Sequence, residues 1–121
     1  MQTVGMVRDT LAASKERGFN AGVMLIRPSV SEFNKLVDNI DVIQHTLDGA
    51  EQNYINVYFG SRIHELHSIW NVLNNDRTKH PEAWRAIEDR IVILHFVAKP
   101  WSPVQCMQDG VLDMCLVWHW L

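Results

Sequence analysis

The sequence predicts a mixed α/β fold, and three observations carry that prediction. Two apolar runs without alternation, residues 21–26 and 91–96, have the look of strands buried on both faces. Segments between them place bulky apolar residues at helical spacing. The 121 residues are 47% hydrophobic and 21% charged, which suits a compact domain and excludes a disordered polymer.

Taken in order, Val4, Val7 and Leu11 recur at i, i+3 and i+7 and predict an opening helix, with Gly18 as its stop. The run 21–26 is the first strand, and Pro28 ends it. Ser29 and Glu32 form an S-x-x-E capping box. Behind it Val30, Phe33, Leu36, Val37, Ile40 and Ile43 predict a second helix. A third is expected over 48–60, with Ala50, Tyr54, Ile55, Tyr58 and Phe59 as its bulky positions. Residues 63–70 admit one short strand, and 71–79 read as a polar loop. Pro81, at the tolerated first position, opens a short helix over 81–89. The second buried strand follows at 91–96, then a loop over 99–103. The tail, 111–121, is apolar enough for a docked helix.

Three strands fall short of the ~5–6 of a typical sheet. Strands buried on both faces also need neighbours on both edges. The chain is therefore expected to be the C-terminal half of a single domain, with further strands upstream of Met1. Exposed strand edges would then favour self-association.

Charge and composition narrow the function. Net charge is −3, and the eleven Lys and Arg are scattered from Arg8 to Lys99 rather than gathered into a patch, so no nucleic-acid partner is expected. No apolar run reaches the ~20 residues of a membrane span. The first residues hold no secretory h-region, so a cytoplasmic location is expected, with Golgi association open if a segment precedes Met1. Two cysteines, Cys106 and Cys115, make no disulfide framework and lack C-x-x-C spacing; a reducing compartment is the expectation.

Three constellations carry chemistry. In Phe19-Asn20-Ala21-Gly22-Val23, Asn20 offers donors and an acceptor that suit a sugar hydroxyl, and Gly22 permits close backbone approach. The same Asn20 also reads as a turn residue before a strand. In Asp48-Gly49-Ala50-Glu51-Gln52 with Asn56, positions 48, 51, 52 and 56 fall on one side of a helix N-terminus. They could hold a polyol or steady a cationic centre; Asp48 and Glu51 also fit ordinary capping. In His95-Phe96-Val97-Ala98-Lys99-Pro100-Trp101, an imidazole and an ammonium follow a strand's carboxyl end, where open α/β sheets bind ligands. Imidazole can ligate a metal and Lys can grip phosphate, although a strand-end His is also a common core residue. His64-Glu65-Leu66-His67 is one residue short of the H-E-x-x-H zinc motif and reads as surface or half-buried histidines, a small metal-binding domain using His64, His67 and a cysteine being the weaker alternative.

The order and spacing of F-N-A-G-V, R-P-S, D-G-x-E-Q-x-x-x-N and I-L-H-F…K-P-W resemble glycosyltransferase family 8, the glycogenin and galactinol synthase family. The resemblance runs from Phe19 to Trp101. It implies the C-terminal portion of a Rossmann-like, A-type nucleotide-sugar glycosyltransferase fold. It further implies retaining transfer of a hexose from a nucleotide sugar, usually UDP-linked, to a carbohydrate or protein acceptor, with Mn2+ as cofactor. By that resemblance Asn20 contacts the donor sugar, and Asp48 meets its hydroxyls with Glu51 beside it. Gln52 lies near the anomeric carbon, His95 is a manganese ligand, Lys99 holds the diphosphate and Gly22 is structural. The family's D-x-D belongs upstream of F-N-A-G-V; this chain contains none. The spacing from His95 to Lys99 is also shorter than in glycogenin-like members. The chain by itself is therefore expected to be inactive, and a non-catalytic relic or interaction module is the alternative.

Overall fold

Val4, Met6 and Val7 are almost wholly buried, and they build the centre of a small sheet rather than the face of a helix. The computed structural model describes residues 3–11, 18–46 and 49–119. These divide into two units, one of residues 3–9 and 18–67, the other of residues 10–11 and 68–119.

In the first unit, β1 (Val4–Arg8) lies between β2 (Phe19–Ile26) and β3 (Ile63–Glu65), antiparallel to the former and parallel to the latter. The expected opening helix is thus corrected to a strand over residues 4–8; residues 12–17 lie outside the described residues. A helix would bury Val4 and Val7 on one face and turn Met6 away, whereas a central strand buries both of its faces. The two valines favour a strand, and Gly5 disfavours a helix. Met6 pairs with Met24 but Val7 pairs with Asn20, so residues 21–23 bulge out of β2. β2 is a sheet edge, and Leu25 and Ile26 are exposed, which corrects the expectation of burial on both faces.

Ser29 caps α1 (Val30–Asp38) by accepting from the Glu32 N–H at 3.2 Å. The other half of the expected box does not form, because Glu32 turns to α2 (Ala50–Phe59) and beyond. Its Oε1 accepts from the Tyr58 hydroxyl at 2.8 Å and from Arg62 Nη1 at 2.7 Å. Tyr54 donates to the Leu36 carbonyl at 2.5 Å, joining the same two helices. The core beneath is Val4, Met6 and Phe59, with Met24, Leu36 and Ile55 packed against them. α1 ends at Asp38, short of the expected Ile43, and Val30, Phe33 and Val37 are exposed.

In the second unit, β4 (Val72–Leu73) and β5 (Leu94–His95) pair in parallel. The expected polar loop over 71–79 is instead buried: Asn71, Asn74, Asn75 and Asp76 are 0–4% exposed. α3 (Asp76–Lys79) follows directly, then α4 (Pro81–Arg85) with Pro81 at its start as expected. Only residues 94 and 95 of the run 91–96 pair in the sheet, and Val92 is exposed. α5 (Pro103–Gln108), not foreseen, and α6 (Leu112–Trp118) close the unit. Cys106 on α5 and Cys115 on α6 form a disulfide across Cα atoms 6.5 Å apart. Both are buried with Ala98 and Val111. The expectation of two reduced cysteines is corrected: the turn between α5 and α6 brings both sulfurs into one core, which a count of cysteines does not reveal. Disulfides persist in oxidising compartments, so this pair removes the ground for expecting a reducing one. No helix of the described residues is long and apolar enough to cross a membrane.

Hydrogen bonds from Arg62 and then Tyr58 hold the Glu32 carboxyl below its ordinary value. Its stabilising effect is therefore present above the ordinary carboxylate range and is lost as pH falls through the lowered value. Glu32→Gln is expected to flatten the acid limb of stability, read by circular dichroism melts from pH 7 to 3. Asp113, lowered chiefly by its hydrogen bond from Arg77, leaves a residual slope. Replacing both cysteines by serine is expected to lower unfolding stability by about 2–3 kcal/mol, measured by urea denaturation.

Candidate functional site

The N-terminal half of α2 lies against the start of β2, and amide side chains make the joint. Gln52 and Asn56, four residues apart, share a helix face. Asn56 Oδ1 accepts from the Phe19 N–H and Asn56 Nδ2 donates to the Phe19 carbonyl, both at 2.7 Å. Gln52 Oε1 accepts from the Ala21 N–H at 3.0 Å. These are backbone groups that an edge strand would otherwise present to water or to another chain. Gly18 is required by this closeness: a Cβ there would sit 2.5 Å from Asn56 Oδ1, which its bond to Phe19 holds in place.

Asn20 is 7% exposed at the foot of the bulge. Its Oδ1 accepts from the Gly22 N–H at 2.8 Å, and its Nδ2 donates to Asp9 Oδ1 at 2.7 Å. Asp9 falls within the expected opening helix, where nothing marks it; as the residue after β1 it faces Asn20 across the strand pair. Glu51 is exposed, and Asp48 lies outside the described residues. Gly49 occupies the N-cap of α2 with no side-chain cap bond. Ala50 then takes a left-handed φ of 43°, a conformation costly for a residue with a Cβ.

His95 and Lys99 belong to the second unit. His95 ends β5, half-buried, with Nδ1 3.1 Å from Asn71 Oδ1. Lys99 follows in a turn that closes through the Ser102 N–H on the Lys99 carbonyl. Its Nζ stands 6.0 Å from the centroid of the exposed Trp101 ring. Asp76 is a buried carboxyl that sequence reading placed in a solvated loop. It accepts from the Leu11 N–H at 3.1 Å and the Thr10 hydroxyl at 3.3 Å, and burial raises its pKa. His64 and His67 are exposed, as expected. Among the described residues no three His, Cys, Asp or Glu gather as metal ligands.

The structure thus sets Asn20 and Gln52 on neighbouring backbone groups of β2 in the first unit, and His95 and Lys99 at the two ends of one turn in the second. The first pairing presents amides and a carboxylate suited to hydroxyl groups, and the second presents an imidazole and a cation. Residues 2–104 match the sequence profile of glycosyl transferase family 8. The chain belongs to that family. Galactinol synthase 2 of Arabidopsis thaliana is 29% identical over 86 residues, which cover 69% of this chain and 25% of that protein. Rabbit glycogenin-1 is 30% identical over 107 residues, covering 78% of this chain and 32% of that protein. The glycogenin of Neurospora crassa is 27% identical over 94 residues, 76% of this chain and 14% of that protein. The chain spans about a third or less of the length of each. For the family member described here, both polar sites and all three recognised motifs fall within the matched segment.

Asn56→Ala leaves the N–H and C=O of Phe19 without their side-chain partners. It is expected to destabilise the first unit by about 1–3 kcal/mol, measured by chemical denaturation, with a loss of amide-exchange protection at Phe19. Glu51→Gln, at an exposed position, should stay within ~0.5 kcal/mol of wild type.

Proposed function

We propose that this chain takes part in the transfer of a hexose from a UDP-linked sugar to a carbohydrate or protein acceptor, with retention at the anomeric carbon. The observation that carries the reading is the family match over residues 2–104, which spans F-N-A-G-V, D-G-A-E-Q and H-F-V-A-K-P-W in that order. In this reading Lys99 places a cation where charge grows on the departing diphosphate, a stabilisation that is strongest in the transition state. Asn20, Gln52 and, by resemblance, Asp48 and Glu51 meet the sugar. Their amide and carboxylate oxygens favour an oxocarbenium-like centre.

The manganese implied by the resemblance finds one donor here, the His95 imidazole. Manganese favours several oxygen ligands, and the described residues gather no such set. The described residues do not make that site, and no step is assigned to the metal.

The second reading, a non-catalytic relic or interaction module, has its own support. The side-chain oxygens of Asn20 and Gln52 already serve the backbone of β2. The apolar stripe of α1 is exposed, which suits self-association.

The test is UDP release from a panel of UDP-sugars. It uses the chain alone and a chimera carrying residues 2–104 in place of the matched segment of galactinol synthase 2. The chimera is expected to turn over and the chain alone to be silent. In the chimera Lys99→Ala should lower turnover ~100–1,000-fold. Asn20→Ala should change sugar selectivity, Gln52→Ala and His95→Ala should slow release, and His64→Ala should do little. Full turnover in Lys99→Ala alongside loss in His64→Ala would overturn the site assignment. A folded but silent chimera would favour the second reading.

A further inference from the structure

Among the described residues no strand pairs with the segment between His95 and Lys99, and one buried side chain holds its backbone. Asn74 is 0% exposed. Its Oδ1 accepts from the Val97 N–H at 3.1 Å and from the Ala98 N–H at 3.2 Å. Its Nδ2 donates to the Ala98 carbonyl at 3.1 Å. The amide orientation follows from the chemistry: turned over, Nδ2 would face two N–H donors, and Oδ1 would face a carbonyl. The Asn74 N–H adds a bond to the His95 carbonyl at 2.9 Å. Gln105 supports the same turn more loosely, its Oε1 3.4 Å from the Lys99 N–H and its Nε2 3.5 Å from the Val97 carbonyl.

From these contacts we propose that Asn74 is a positioning residue for Lys99. It holds the three peptide units that run from Phe96 to Lys99 and so sets where the ammonium stands. The proposal rests on the reading of Lys99 as the group that meets the donor diphosphate. Asn71 and Asn74 flank the two residues of β4, so one short strand brings one amide to the His95 ring and the other to the turn before Lys99. A wholly buried Asn whose carbonyl oxygen takes two backbone N–H groups is an expensive way to fill space, since an apolar residue of similar volume would take the amide partner from both polar groups of Ala98 and leave the Val97 N–H to the His95 carbonyl, 3.1 Å away. The arrangement makes sense where the path of the turn matters.

The experiment is calorimetric titration of UDP into wild type, Asn74→Ser, Lys99→Ala and the double variant, with circular dichroism melts to confirm folding. Asn74→Ser and Lys99→Ala are each expected to weaken UDP binding about tenfold, the loss of roughly one charge-assisted contact. The double variant should be no weaker than either single one, because both changes remove the same contact. Additive losses would show that Asn74 acts independently of Lys99 and would overturn the proposal. Binding lost in Lys99→Ala but kept in Asn74→Ser would overturn this proposal and leave the reading of Lys99 standing. Wild type that binds no UDP, or Lys99→Ala that binds as wild type does, would overturn both. Should Asn74→Ser fail to fold, Asn74→Thr, whose hydroxyl can meet one of the three groups without adding charge, replaces it and is read against the same outcomes.

Discussion

A backbone N–H or C=O taken from water must find a partner, and two small sheets leave many such groups without a neighbouring strand. This chain supplies the partners from asparagine and glutamine side chains. Asn56 pairs with both polar groups of Phe19 much as a strand residue would, and Gln52 continues the pairing at Ala21. In the second unit Asn74 does the same for Val97 and Ala98. The amide side chain suits this task because it carries a donor and an acceptor in the same plane as a peptide. Packing of α2 on β2 and the path from β5 to Lys99 both depend on it.

The same chemistry explains why these positions resemble a ligand site. A sugar hydroxyl and a peptide group make similar demands, a donor and an acceptor close together. Asn20 shows the competition: Gly22 takes its oxygen, and Asp9 takes its nitrogen. An amide oxygen has two lone pairs and its nitrogen two hydrogens, so internal use orients the group without exhausting it. Positioning and recognition are therefore compatible in one residue, provided the internal bonds come first and hold the side chain still.

The sequence exposed the elements whose signals are local. Ser29 capped its helix and Pro81 opened one because capping and ring geometry act within a single turn. The helix over residues 50–59 followed from apolar spacing. The strand at 4–8 did not, since Val4 and Val7 fit a helical period as well as a central strand, and only β2 and β3 on either side decide between them. Burial of Asn71 to Asp76 was hidden for a related reason. Polarity alone says solvated loop, whereas here each polar group meets a partner far along the chain, as Asp76 meets Leu11 and Thr10. The motifs containing Asn20, Gln52, His95 and Lys99 were visible as an ordered pattern. Asn56 is legible in the same pattern, as the last residue of D-G-x-E-Q-x-x-x-N, whereas the supports Asp9, Asn71 and Asn74 belong to no pattern of their own.

The cysteines and α1 show two ways in which burial departs from pattern. Cys106 and Cys115 lie on separate short helices, and neither is long enough to be stable alone. Their bond fixes one helix on the other around Val111 and Ala98, the latter being the residue whose backbone Asn74 holds. The turn before Lys99 is thus pinned from two sides, by an amide beneath its peptides and by a cross-linked helix pair beside its alanine. α1 is the opposite case. Its period is helical and its stripe apolar, yet Val30, Phe33 and Val37 are exposed, and Leu36 and Glu32 make its attachments. Periodicity declares that a helix has an apolar side. Only the contacts made by Leu36 and Glu32 say which part of that side this unit uses.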